Sequence, residues 1–457
     1  MKDIKSLQDT LKKWAIDNKK TQENIGMILG FGYDDAQLAE ERHPTRHDLD
    51  AVSTDIPILI IHQSSHLGVM NTKALQLLGI TAETPDPSGG VIRRETNSQE
   101  PNGVLEENAF FVHIGEQFSK ISEDEVNAIF KAGANKLASY GYTTGEEGRT
   151  TAGLASLMQK IANDNPLPIE IVSYIDANDD RNFILSNSSH NYKNGFRVGG
   201  AKLTIDGSPQ GFTAYRDRPY YNPPEGYRAD YSGYAAITPD ETFEAIDWAF
   251  SNNIQVITHS NGEAASDLFL AAIKTAKEKH PTKALRPVLI HGQFLRKDQI
   301  ATIDELDIFP SLFPMHTFYW GDWHRDRTIG PVNAEHISPT GWIRERGMMF
   351  SSHHDAPVAF PNSMRVLSST VTRRTRSGDI LGPDQRVDVM TGLKAMTIWP
   401  AYQHFEENEK GTLEVGKVAD FVVLSADPTA VNPESLDQLH VEQIIKGGKI
   451  IYEKPNN

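Results

Sequence analysis

The chain has 457 residues, a formal net charge of -16 and no cysteine. The acidic balance argues against a nucleic-acid partner, because a polyanion would be repelled. The lack of thiols excludes disulfides, thiolate metal sites and a cysteine nucleophile. No apolar run reaches the roughly 20 residues that a bilayer span requires, so no membrane partner is expected and a cytoplasmic protein is the default.

Met1 to Ala15 is amphipathic and has no apolar segment of the signal-peptide kind. It predicts a helix near Ile4–Asn18, and its lysines (Lys12, Lys13, Lys19, Lys20) read as a solvated face. A strand-like run follows at Ile56–His62, then loops rich in turn residues such as Pro85–Gly90. Residues of about 20–130 therefore read as an elaborated insertion rather than a βα unit.

From about Ile129 to Asp355 one rhythm repeats: a short apolar run, a polar cluster, a helical stretch. The runs are Tyr142–Glu146, Leu167–Ile175, Phe196–Ile205, Ile254–His259, Pro287–His291, Ile308–Leu312 and Met348–Asp355. Helices are expected between them, including Ala152–Asp164, Pro239–Asn252, Ala264–Lys279 and Lys297–Asp304. Strands alternating with helices imply a parallel sheet, and seven of them an α/β fold of the (β/α)8 TIM-type barrel class. A doubly wound sheet is the alternative, but no Gly-rich nucleotide loop follows any strand.

Seven strands do not close an eight-stranded barrel, so the barrel is read as lacking strand 1. Helical segments (Asn362–Arg374, Val387–Thr397) come next. Gly411–Leu424 and Val441–Tyr452 then read as short strands with glycine turns. The expected division is a barrel over 1–400, insertion included, and a partial β-sandwich over 401–457.

Active sites of such barrels lie at the C-terminal ends of the strands. Counting Tyr142–Glu146 as strand 2, strands 4, 5, 6 and 8 end near Lys202, His259, His291 and Asp355. Two imidazoles and a carboxylate on one rim suit zinc, with iron or manganese as alternatives. A lone histidine at a strand end is more often a hydrogen-bonded core residue; two on successive strands with an aspartate shift the balance to one or two divalent ions. Lys202 is a poor ligand as an ammonium, but a buried lysine deprotonates, and its amine can take up carbon dioxide to become a bridging carbamate. His353 and His354 adjoin Asp355, and alternation allows at most one to face the site. Both are left out as ligands.

The chain resembles the metal-dependent amidohydrolases, specifically amidohydrolase family 3, which includes N-substituted formamide deformylases. The resemblance is carried by Gly30–Asp34, Pro44–Asp50, His66 with Asn71 and Ala74-Leu75, Asn102–Glu106 and Lys202 with Asp206–Ser208. It continues through His291, Pro314-Met-His316, Ser352–Pro357 and Gly416–Asp420. It implies a barrel with a flanking β-sandwich, a bound divalent metal, and hydrolysis of a carbon–nitrogen bond in a small amide by metal-activated water. It also implies metal contacts at Lys202, His259, His291 and Asp355, with Asp355 as general base. His316 is a candidate for stabilising the oxyanion; its bland reading is a loop residue packing on Trp320 or Trp323. The family's first-strand His-x-His pair is absent: either the chain starts late, as an internal methionine or truncated gene would produce, or this member has lost the strand, and truncation is the simpler reading.

The aromatic and basic residues Tyr215, Arg216, Tyr220, Tyr221, Phe318, Tyr319, Trp320 and Trp323 suggest a rim for an apolar substituent, or merely loop packing. Two alternatives remain: a non-catalytic binding or regulatory protein of this fold, and a sugar-processing barrel using Glu146 and Glu147, weak because neighbours on a strand point apart. A homodimer is left open.

Overall fold

The computed structural model describes residues 1–118, 122–281 and 284–455. They build three sheets. The first contains β1 (Ile28–Tyr33), β2 (Ile58–His62), β3 (Leu67–Met70), β4 (Gly90–Arg94) and β5 (Pro101–Glu107), in the order β1-β2-β3-β5-β4. Only β1 and β2 run parallel. β2 is buried on both faces. Ile58 and Ile60 pack with Leu7 and Leu11 of the helix Ile4–Asp17, while Leu59 and Ile61 pack with Met70, Leu105 and Phe110. A strand buried on both sides reads as a continuous apolar run, which is why this one was legible.

The expectation of a single strand amid loops here is corrected to a five-stranded sheet. β1 is interrupted by Gly30 and Gly32 and β5 carries Pro101, Asn102, Gly103, Glu106 and Glu107, so neither apolar runs nor clean alternation announce it.

The second sheet is parallel and follows chain order: β6 (Thr144–Thr150), β7 (Glu170–Asp176), β8 (Phe196–Thr204), β9 (Gln255–Ser260), β10 (Val288–His291), β11 (Phe309–Leu312) and β12 (Ser351–Ser352). All seven expected runs are strands. The helices Ala152–Asp164, Pro239–Ser251, Glu263–Lys279 and Lys297–Glu305 lie between them as expected. Every residue of β9 and β10 is buried, as a parallel sheet covered by helices on one face and filled on the other requires.

The sheet curls until its ends face each other. The ring of Tyr142, just before β6, lies 5.2 Å from that of His354, just after β12. Among the described residues no strand pairs between those two edges. The architecture is a TIM-type barrel of seven strands. A C-terminal antiparallel sheet flanks it: β13 (Phe421–Leu424), β14 (Val441–Lys446) and β15 (Lys449–Glu453). Among the described residues no helix is long and apolar enough to cross a membrane.

Candidate active site

Parallel strands end on one rim, and the candidate residues follow from that. Lys202 lies in β8, His259 in β9, His291 closes β10, and Asp355 follows β12 by three residues. His291 and Asp355 both take left-handed backbone (φ 77° and 53°), a conformation that non-glycine residues adopt mostly where the surroundings enforce it. The rings of His259 and His291 meet edge to face, centroids 4.5 Å apart.

Each imidazole has one nitrogen anchored. His259 Nε2 lies 3.1 Å from the Gly207 carbonyl oxygen and 3.0 Å from Asn261 Nδ2. His291 Nδ1 lies 3.1 Å from Nε2 of His353, whose own Nδ1 is 2.9 Å from Ser311 Oγ. Among the described residues His259 Nδ1 and His291 Nε2 have no hydrogen-bond partner. Burial holds both rings well below the usual imidazole range, and neighbouring histidines and Lys202 add to it. They are therefore neutral, the form that ligates metal.

Lys202 is 5% exposed. Burial pulls its ammonium down to about 8, against the opposing pull of Asp355 and Glu146. The Asp355 residue is open to solvent on one side. Enough protein surrounds its carboxyl to push its pKa up, with Lys202 and His66 opposing. Glu147 is pushed up to about 7 by burial and lies in the field of Lys202 and Asp355. Glu146 instead accepts from Gln403 Nε2 at 2.9 Å.

His316 sits in the helix Met315–Trp323, not in a loop. Its ring lies 4.7 Å from those of Phe313 and Trp320, so the packing reading describes its surroundings. Its Nδ1 is 3.0 Å from His324 Nε2, and His324 Nδ1 is 2.8 Å from Thr328 Oγ1. Burial keeps both rings neutral.

Sequence reasoning missed several neighbours. His66, just before β3, places its ring 5.0 Å from that of His259. Glu107, at the end of β5, holds His66 Nδ1 at 2.7 Å and accepts from Thr213 Oγ1 at 2.5 Å. A Cβ at 207 would come within 2.0 Å of Glu107 Oε1 and 2.2 Å of Thr213 Oγ1, so both side chains would have to move to admit any residue but glycine. Asp206 is buried and accepts backbone N–H groups from Tyr215, Asn261 and Gly262 at 3.0, 2.9 and 2.8 Å. Burial still pushes its carboxyl up to about 7. His353 faces the site while His354 packs on Tyr142, as alternation required. His66 and Asp206 had appeared only within motifs, with nothing in the spacing to bring them to His259.

The aromatic rim is mostly interior packing. Trp320 and Tyr220 are 1% and 2% exposed, and Arg216 forms a buried pair with Glu263 at 2.9 Å.

The donor set fits a divalent metal: neutral imidazoles with one nitrogen anchored and the other unengaged, an acidified lysine and a carboxylate. The His259, His291 and Asp355 ligand atoms do not, however, all lie within 4.8 Å of one another. Among the described residues one histidine–carboxylate trio does: Asp34, Asp35 and His62.

Residues 1–452 match the family model described as "Amidohydrolase family". The chain is 27% identical over 459 residues to "Putative amidohydrolase YtcJ" of Bacillus subtilis, covering 98% of this chain and 84% of the relative. It is 25% identical over 447 residues to the N-substituted formamide deformylase of Arthrobacter pascens, with 93% and 79% covered. Among solved structures, an uncharacterized metal-dependent hydrolase of Pyrococcus furiosus shares the fold at a TM-score of 0.66 and 22% identity, with 94% of this chain and 82% of that chain covered.

Proposed function

From the premise that the chain belongs to the amidohydrolase family, we propose that it hydrolyses a carbon–nitrogen bond in a small non-peptide amide with the help of a divalent metal, zinc before iron or manganese. The observation that carries this reading is the meeting of His259 and His291, neutral and each with an unengaged nitrogen, with the acidified Lys202 on one barrel rim. The similarity to an N-substituted formamide deformylase supports the substrate class.

Lys202, His259, His291 and Asp355 would hold the metal. When bound, the metal supplies a Lewis acid and makes water acidic enough to ionise near neutral pH. Lys202 joins the ligand set as its carbamate: the neutral amine adds to carbon dioxide and loses a proton. Gly207, Asn261 and His353 fix the ring orientations of His259 and His291. Asp355 takes the proton from the attacking water and returns it to the leaving nitrogen, and its raised pKa brings it closer to the range where that transfer is efficient.

His316 is assigned the carbonyl oxygen. With Thr328 Oγ1 donating to His324 Nδ1, His324 Nε2–H donates to His316 Nδ1. His316 Nε2–H is then left as a donor.

The test is Asp355→Asn on a panel of N-substituted formamides and simple amides. Turnover should fall by about 10²- to 10⁴-fold, the usual span for a lost general base, with the circular dichroism spectrum unchanged. Turnover equal to that of the parent protein would remove Asp355 from its role.

A further inference from the structure

β1 and β2 are neighbouring parallel strands, so their C-terminal ends lie side by side, with Tyr33 in register with His62. That topology brings Asp34 and Asp35, just past β1, to His62, the last residue of β2. His43 arrives from the following segment. The side chains of Asp34, Asp35, His43 and His62 are 10, 5, 6 and 0% exposed.

Both histidines point Nε2 inward and have Nδ1 tied to a hydroxyl. His62 Nδ1 is 2.8 Å from Ser64 Oγ, and His43 Nδ1 is 3.1 Å from Tyr33 Oη. His62 Nε2 lies 3.0 Å from Asp35 Oδ1 and 3.7 Å from Asp34 Oδ1. His43 Nε2 lies 3.7 Å from Asp35 Oδ2. That is too long for a hydrogen bond, and His43 Nε2 has no hydrogen-bond partner among the described residues. Bonds of about 2.1 Å to a tetrahedral zinc-like ion put neighbouring ligand atoms about 3.4 Å apart, between the observed separations. The ring centroids of His43 and His62 are 5.6 Å apart.

The geometry points to a second, buried divalent-metal site outside the barrel, built on Asp34, Asp35 and His62, whose ligand atoms all lie within 4.8 Å of one another. His43 stands beside Asp35 at its edge, and the oxygen–nitrogen set suits zinc, manganese, iron or cobalt. His62 Nδ1 also accepts the Ser64 backbone N–H at 3.1 Å, so Ser64 and Tyr33 fix the orientations of the two imidazoles. With these side chains at most 10% exposed, the site is closed to solvent and structural. Asp34 Oδ2 also accepts Trp320 Nε1–H at 2.8 Å, so the ion would clamp the N-terminal sheet to the helix that carries His316.

The test uses the full chain with His259→Ala and His291→Ala, which empties the barrel rim whatever its chemistry, after stripping with a chelator. Titration with cobalt(II) should show one tight equivalent with visible ligand-field bands. Trp320 emission should be quenched in step, because its indole touches Asp34. Trp320→Phe should abolish the quenching and keep the bands, and Asp35→Asn should abolish both. No tight equivalent in the folded His259→Ala/His291→Ala protein would overturn the site. So would an equivalent whose bands survive Asp35→Asn, or one that leaves Trp320 unquenched. If Asp35→Asn does not fold, the Trp320 comparison alone decides.

Discussion

Lys202 shares the rim with Asp355 and Glu146, both favouring its charged form, yet burial wins and the ammonium is pulled down to about 8. The neutral amine is the form that reacts with carbon dioxide, so the pH dependence has a definite sign. In chelator-stripped protein, reloading with zinc at a fixed concentration of dissolved carbon dioxide should accelerate about tenfold per pH unit below pH 8 and level off above it. Lys202→Ala should lose most of the bound metal, with short carboxylates restoring part of it. A reloading rate independent of pH between 6 and 8 would exclude carbamate formation as the controlling step. The residues of this rim were legible because each ends or closely follows an apolar run. His66 and Glu107 were not, because His66 reaches His259, and Glu107 reaches His66, from strands whose sequences do not alternate cleanly.

At the scale of elements, a buried side chain can do what periodicity cannot signal. Asn71 caps the helix Thr72–Leu77 through Oδ1, which accepts from Ala74 N–H and also from Ile58 N–H of β2, each at 2.9 Å. Its Nδ2 donates to the Ser53 and Ile56 carbonyls at 2.9 and 3.0 Å. One amide thus joins a helix start, a strand start and the segment that leads into that strand. Asn71 is fully buried; Asn71→Ala strands the buried Ile58 and Ala74 N–H groups and the half-buried Ser53 and Ile56 carbonyls, and should cost about 3 kcal/mol, the sum of a lost cap and unsatisfied backbone groups. The urea midpoint would report it, and a loss under about 1 kcal/mol would mean that water replaces the amide. The barrel strands were readable because burial on both faces makes them continuously apolar. The first sheet is held by such polar bridges and by β3–β5, whose glycine, proline and charged positions obscure either period.

Across the whole molecule, the question is how a sheet with two unpaired edges keeps its curl. Gln403, at the end of the helix Ile398–Gln403, reaches both sides of the opening: its Oε1 accepts from Ser351 Oγ of β12 at 2.8 Å, and its Nε2 donates to Glu146 of β6 at 2.9 Å. Its own carbonyl accepts from Gln255 Nε2 of β9 at 2.9 Å. The neighbouring His404 lies 3.3 Å from Glu146 Oε2 and 3.3 Å from the Tyr174 hydroxyl of β7. A helix from beyond the barrel therefore ties four strands across the gap where edge-to-edge pairing would otherwise do it. Gln403→Ala keeps the backbone contact to β9 but removes both side-chain links. It should destabilise by about 1–3 kcal/mol, and amide exchange should rise selectively over 144–150 and 351–352. Because Glu147 belongs to β6 and Asp355 follows β12, loosening these edges should also weaken metal retention at the rim while leaving the first sheet unchanged. Uniform exchange across all three sheets would mean that Gln403 contributes ordinary packing, and that the curl is fixed by the helices outside it.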